Sequence, residues 1–210
     1  MTTKEKILTQ SFQLFLNQGY KEVSVNMIIN TCKISKGAFY HHFESKDDLY
    51  NHVLNRFFFN YFKSTDFVYD NSFSFKEKLN QFIISFITPY EELLNLTTRN
   101  DLLPYFRFLF QAAGHHETVK YRVNKHFYKK GYYLAMLITQ EQEKNHLNKN
   151  INAKLIAKQL LSIILGITIL DGIYDASMIK GKLIESIELY TEQILHINNT
   201  KKNQTEVQYA

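Results

Sequence analysis

The chain has 210 residues, enough for one large domain or a small module joined to a medium one. Its 45% hydrophobic and 15% aromatic content exceeds that of a disordered chain, and two prolines with seven glycines are too few for the frequent turns of a sandwich or barrel. A formal charge of +5 permits nucleic-acid binding without establishing it, while a single cysteine, Cys32, excludes an intramolecular disulfide and a thiolate metal cluster.

Lys4, Glu5 and Lys6 stand where a signal peptide needs an apolar run, which points to the cytoplasm. The most apolar stretch, residues 155–173, is interrupted by Lys158, Gln159 and Asp171. It reads as too short and too polar for a membrane span, so no membrane partner is expected.

In chain order, Leu8, Phe12 and Phe15 recur at helical spacing and Gly19 supplies a stop, which predicts a first helix. Ser24 is placed to cap a second helix running through Cys32, with Val25, Ile28 and Ile29 inward. Ser35 is placed to cap a short third helix over 36–42. Ser45 opens a fourth, with Asp48 in a near-match to a capping box, and the apolar residues carry it through Tyr61. Periodicity lapses over 63–74. A fifth helix is expected over 75–94, and a sixth begins at Pro104 with Asp101 as cap. A seventh runs from the His115–His116 region to about 145. After the polar break 148–152 come helices at 153–174 and 180–197, then a polar tail from 198.

Three short helices, the last two joined by a tight turn, have the dimensions of a helix-turn-helix. A DNA-reading helix needs a slim, polar N-terminal end that reaches base edges and cationic or hydroxyl groups around it for phosphates. Gly37 and Ala38 would let the backbone approach the major groove, and Lys36, Tyr40, His42 and Lys46 would reach phosphate oxygens. Ser24, Ser35 and His41 complete the candidate DNA-binding set, while Ile34, Phe39 and Phe43 serve as inward anchors. The first 50 residues are barely basic, so the signal is the ordered motif rather than charge.

At these positions the sequence resembles the TetR family. Gly19-Tyr20, Ser24-Val25, Ile28, Ile34-Ser35, Lys36-Gly37, Tyr40, His42-Phe43, Lys46 and Leu49 fall in register with that family's head over about 45 residues. The resemblance implies backbone contacts from Ser24, Lys36, Tyr40, His42 and Lys46. It implies base-facing positions for Lys36, Gly37, Ala38 and Tyr40. Two residues depart from it: Ile29 and Lys33 replace small residues where the helices cross. Ile29 should push the helices apart or rotate them. Lys33 must take a left-handed conformation or alter the turn.

The expected fold is all-α: a three-helix helix-turn-helix head over 1–45, a helical bundle body for ligand binding and dimerisation over 46–197, and a flexible tail over 198–210, with about nine helices. Helix 153–174 is apolar nearly all round, so Leu160, Ile163 and Ile167, with Leu183, Ile187, Tyr190 and Ile194 of the last helix, are read as a homodimer interface. By the resemblance, Phe62, Phe82, Phe86, Tyr90, Phe106, Phe110, Phe127 and Tyr128 would line a pocket for an apolar or aromatic small-molecule effector. Arg122, Lys125, Lys129 and Lys130 read as a solvated face.

Cofactors and catalysis find little support. Glu143 and His146 form a single Glu-x-x-His where a di-iron bundle needs two, and no Gly-x-Ser-x-Gly elbow occurs. The function expected is a ligand-responsive regulator, most simply a repressor that binds a palindromic DNA operator as a homodimer. The alternative is a helical sensor or enzyme whose head no longer binds DNA.

Overall fold

The computed structural model describes residues 1–59, 70, 72–96, 100–115 and 117–195, and nine α-helices lie among those residues. They are α1 (Thr3–Gln18), α2 (Val25–Cys32), α3 (Lys36–His42), α4 (Lys46–Leu54), α5 (Phe75–Leu96), α6 (Leu103–His115), α7 (Glu117–Glu143), α8 (Ala153–Gly172) and α9 (Ile179–Leu195). The fold is all-α, as expected.

Local chemistry explains the boundaries. The hydroxyls of Ser24, Ser35 and Ser45 accept the backbone N–H of Met27, Ala38 and Asp48 at 3.2, 3.1 and 3.0 Å. Each satisfies a donor that the first helical turn leaves over, and such a cap contributes roughly 1 kcal/mol. Asp48 accepts the N–H of Glu44 at 3.0 Å, one residue outside the usual reach of a capping box. Thr2 caps α1 in the same way, through Glu5. Gly19 ends α1 at φ 89°, ψ 161°, a region closed to residues with a side chain. Asp101 accepts the N–H of Leu103 and starts α6.

The fourth helix does not continue as one regular element. After Leu54 it widens into a π-helical turn, Asn55–Phe59, which brings the consecutive Phe57 and Phe58 to the buried side together. Tyr61 and Phe62 lie outside the described residues, as does the tail from 196.

By its contacts the chain divides into two compact units. One comprises the described residues of Met1–Lys63 and Phe86–Val123, the other those of Ser64–Ser85 and Asn124–Ala210. The core of the first is aromatic: Phe12 stacks on Phe57 with centroids 4.2 Å apart, and Phe108 meets the rings of Phe58, Tyr50 and Phe12 at 5.0, 5.2 and 6.0 Å. Pairs of this kind each contribute about 0.5–1.5 kcal/mol beyond the area they bury.

In the second unit α8 packs along α9. Asp171 pairs with Lys182 near the connection and Gln159 bonds Tyr190 far from it, so the two helices run antiparallel. The residues that α8 buries, Ile156, Leu160, Ile164 and Thr168, follow a spacing of four. By length and composition α8 passes the test for a membrane span, with mean hydropathy 1.8, contrary to the sequence reading. Its inward stripe is taken up by the packing against α9.

Candidate nucleic-acid interface

The second and third helices are joined at Lys33 and Ile34. Lys33 adopts φ 51°, ψ 52°, the left-handed conformation, at a cost on the order of 1 kcal/mol. The turn keeps its bonds: Lys33 N–H donates to the Asn30 carbonyl at 3.1 Å and Ile34 N–H to that of Ile29 at 3.2 Å. Ile29 itself is half-buried.

Beyond the turn, α3 separates its two faces cleanly. Phe39 and the following Phe43 are buried, and Ile34 is half-buried, which seats the helix. Ser35, Lys36, Gly37, Tyr40 and His41 are exposed, as is Ser24 on the neighbouring cap, while Ala38 and His42 are half-buried. The Lys36 ammonium lies 6.0 Å from the centroid of the Tyr40 ring, and the rings of His41 and His42 are 4.9 Å apart. At Gly37 a Cβ would meet nothing closer than the Ser35 hydroxyl at 3.9 Å. No packing within the chain requires glycine there, and the open side is the one turned to solvent.

Lys46 behaves differently from the other candidates. It is half-buried, and its ammonium donates to the carbonyl oxygens of Tyr20 and Val23, both at 3.0 Å. Tyr20 in turn donates its hydroxyl to Asp47. Burial raises the Tyr20 phenol well above its ordinary range, and the Asp47 carboxylate adds to the rise. Lys46 and Asp47 thus tie the start of α4 to the loop that leads into α2. From α6, Arg107 donates to the carbonyls of Leu16 and Asn17 at 2.6 and 3.0 Å, satisfying acceptors at the end of α1. The long-range bonds of Tyr20, Asp47 and Arg107 escaped the sequence reading, since no local periodicity marks a side chain whose partner lies far along the chain.

Residues 7–53 match the family model described as bacterial regulatory proteins, tetR family. The head of the chain is thus similar to the tetR family. Among curated relatives, the uncharacterized HTH-type transcriptional regulator YuxN of Bacillus subtilis is 44% identical over 59 residues, 28% of this chain and 20% of YuxN. The biofilm operon negative regulator IcaR of Staphylococcus epidermidis is 30% identical over 92 residues, 42% of this chain and 48% of IcaR. The matched stretches therefore span from a fifth to about half of those relatives. A solved transcriptional regulator from Saccharomonospora viridis, in complex with choline, superposes with TM-score 0.65 at 18% identity, covering 88% of this chain and 95% of that one. That likeness extends the fold, rather than any activity, through the body. What the matches name is regulators rather than enzymes.

The expected effector-lining residues part company. Phe82, Phe86, Tyr90 and Phe106 are buried, and Phe127 is half-buried. Phe110 and Tyr128 are 60% and 74% exposed, so they face solvent rather than an enclosed space. Phe62 lies outside the described residues. Two hollows, of about 160 Å³ beside Gly19 and Gln111 and about 130 Å³ between Leu79 and Ile187, contain none of the expected lining.

The expected interface residues also divide. Leu160, Leu183 and Ile187 are fully buried within the single chain, because α8 and α9 fill each other's apolar grooves. Ile163, Ile167 and Tyr190 remain half-buried, and Leu170 is 69% exposed. Ile194 has no described side chain. The solvated face read on α7 needs correction too. Lys125 and Lys129 are exposed and Arg122 lies 3.7 Å from the centroid of the Phe59 ring, but Lys130 is buried. Lys130, Leu134, Leu137 and Glu141 share one stripe, a spacing visible in the sequence that the basic composition obscured.

Proposed function

We propose that this chain is a TetR-family regulator: a ligand-responsive, DNA-binding repressor of the cytoplasm. Two copies pair through their bodies and place two heads on a palindromic operator, and a small-molecule effector releases them. The observation that carries this reading is α3: a helix held on one side by Phe39 and Phe43, with Ser35, Lys36, Gly37 and Tyr40 free on the other. Supporting it, IcaR is named a negative transcriptional regulator, and the Saccharomonospora viridis neighbour was solved with a small molecule, choline. The domain roles follow: residues 1–45 read DNA, and 46–197 bind effector and pair.

Pairing is supported by what α8 leaves uncovered. Only 28% of its most apolar stretch is buried within the chain, and Ile163, Ile167 and Leu170 stand on the uncovered part. A twofold dimer suits a twofold site, with half-sites about 34–36 Å apart. The rival reading, a head that no longer binds DNA, rested on Ile29 and Lys33. It loses support because the turn keeps both backbone bonds around a left-handed Lys33.

The test is a mobility-shift assay on the DNA upstream of the chain's own gene, titrated with salt. A specific shift whose logarithmic affinity falls linearly with the logarithm of salt is expected. Binding no tighter to that DNA than to random duplex at low salt overturns the operator reading.

A further inference from the structure

Two described residues other than glycine adopt positive φ, Asn145 at 61° and Lys33 at 51°. Asparagine enters the left-handed region more readily, because its short polar side chain can bond locally; a lysine has no such compensation. Glycine would take these dihedrals freely. Lys33 therefore stands at the turn between α2 and α3 against a local cost, and nothing within the chain offsets it. The residue is exposed, and among the described residues its ammonium makes no hydrogen bond, ion pair or ring contact. Other lysines of the head do find partners. Lys46 bonds two carbonyls, and the ammonium groups of Lys4 and Lys36 lie 5.7 and 6.0 Å from the ring centroids of Phe43 and Tyr40.

The surroundings of Lys33 favour an anion. Between Glu22 and Glu44 the chain contains no acidic residue, while Lys33, Lys36, His41 and His42 all fall within that stretch. Cys32 is buried and Ile34 half-buried, so the turn is anchored on both sides of an exposed lysine. The turn also has a defined place on DNA once α3 is the reading helix. In a helix-turn-helix the first helix crosses the phosphate backbone, and the second enters the major groove with its N-terminal residues at the bases. The link between them then lies at the edge of the groove, where phosphate oxygens are the nearest partners. A strained backbone position with no use inside the chain points to a partner outside it.

We propose that Lys33 is a further DNA-contacting residue, its ammonium set against a backbone phosphate at the edge of the groove that α3 reads. The inference rests on the DNA-binding reading above and adds a contact from the turn to those expected on the helices. A phosphate contact carries no sequence information, so Lys33 contributes affinity to any duplex.

Fluorescence anisotropy on the full chain tests it, with the DNA upstream of the chain's own gene and a random duplex of equal length, each titrated with salt. Lys33→Gly and Lys33→Gln should both reduce the salt slope by about 0.9 unit per bound head, while Lys33→Arg keeps the wild-type slope. The affinity gap from wild type then widens about eightfold per head for each tenfold fall in salt. Thermal melting should place Lys33→Gly at or above the wild type, since glycine relieves the left-handed strain. Unchanged slopes in Lys33→Gly and Lys33→Gln overturn the proposal, and a lower melting temperature in Lys33→Gln would then assign the charge to the dipole at the end of α2. A slope reduced equally in Lys33→Arg overturns it too, because the retained charge should keep its phosphate. So does a lower melting temperature for Lys33→Gly, by showing that the lysine serves the fold. Wild type bound no tighter to the upstream DNA than to the random duplex overturns the operator reading alone, since the slope on either duplex still judges Lys33. Binding to neither duplex at low salt overturns both.

Discussion

The ammonium of Lys46 lies 4.2 Å from the centroid of the Tyr20 ring and donates to the carbonyl oxygen of that same residue at 3.0 Å. With its second bond, to the Val23 carbonyl, it holds the loop between α1 and α2 against the start of α4. Lys46 is therefore a positioning residue for the head, where its motif position alone implied a phosphate contact. Lys46→Met should lower unfolding free energy by about 1–2 kcal/mol, the loss expected for charged hydrogen bonds at a half-buried site. Urea unfolding measures this, and unchanged stability would show that the two carbonyls do not depend on the lysine.

Gly37 invites the opposite outcome. A helical glycine with open space at its Cβ is less stable than alanine by roughly 0.5–1 kcal/mol. Gly37→Ala should therefore raise stability by that amount while weakening operator binding, because the added methyl stands where the helix approaches a groove. If both stability and affinity rise together, this face does not meet DNA.

Lys36 and Tyr40 are exposed on α3 and should act without disturbing the fold. Lys36→Ala should reduce the salt slope of DNA binding by about one unit if the ammonium neutralises one phosphate. Tyr40→Ala should lower affinity across sequences by about 1 kcal/mol, the worth of one hydrogen bond. Circular dichroism and sedimentation should match the wild type in both. Unchanged affinity in both variants would remove α3 as the reading helix.

The division of the apolar residues on α8 and α9 separates folding from pairing. A carboxylate at Ile187, fully buried within one chain, should unfold it, at a cost of several kcal/mol. The same change at Leu170, exposed in the single chain, should leave helix content intact and yield monomers. Analytical ultracentrifugation with circular dichroism distinguishes the two. Folded wild-type monomers at micromolar concentration would contradict the paired assembly.

Lys130 should give a pH signature. Burial lowers its folded-state value from 10.5 to about 8, so between these values the unfolded chain binds more protons than the folded one. Stability from this group therefore rises as pH climbs from about 8 towards 10.5, by at most about 3 kcal/mol. Tyr90 and Tyr105, whose phenols burial raises, oppose the trend at the upper end. Unfolding of wild type and Lys130→Met compared at pH 7 and 9.5 isolates the lysine. The rise should shrink in the variant, and an identical pH dependence would place Lys130 in water.

Much of the head could be read directly from sequence because its determinants are local. Ser24, Ser35 and Ser45 cap because a hydroxyl needs to reach an N–H three residues on, and Gly19 stops α1 because its dihedrals exclude a side chain. The helical period likewise sets Phe39 and Phe43 inward and leaves Lys36 and Tyr40 outward. Tertiary structure decided what depends on partners distant in sequence. Lys46 and Lys130 are both lysines on helices, and nothing local separates one that bonds loop carbonyls from one that enters a core beside Phe82. Leu160 and Leu170 are both apolar on α8, yet packing against α9 buries the first within the chain and leaves the second uncovered by it. Periodicity assigns a residue to a face of its helix; only packing of one helix against another determines what that face meets.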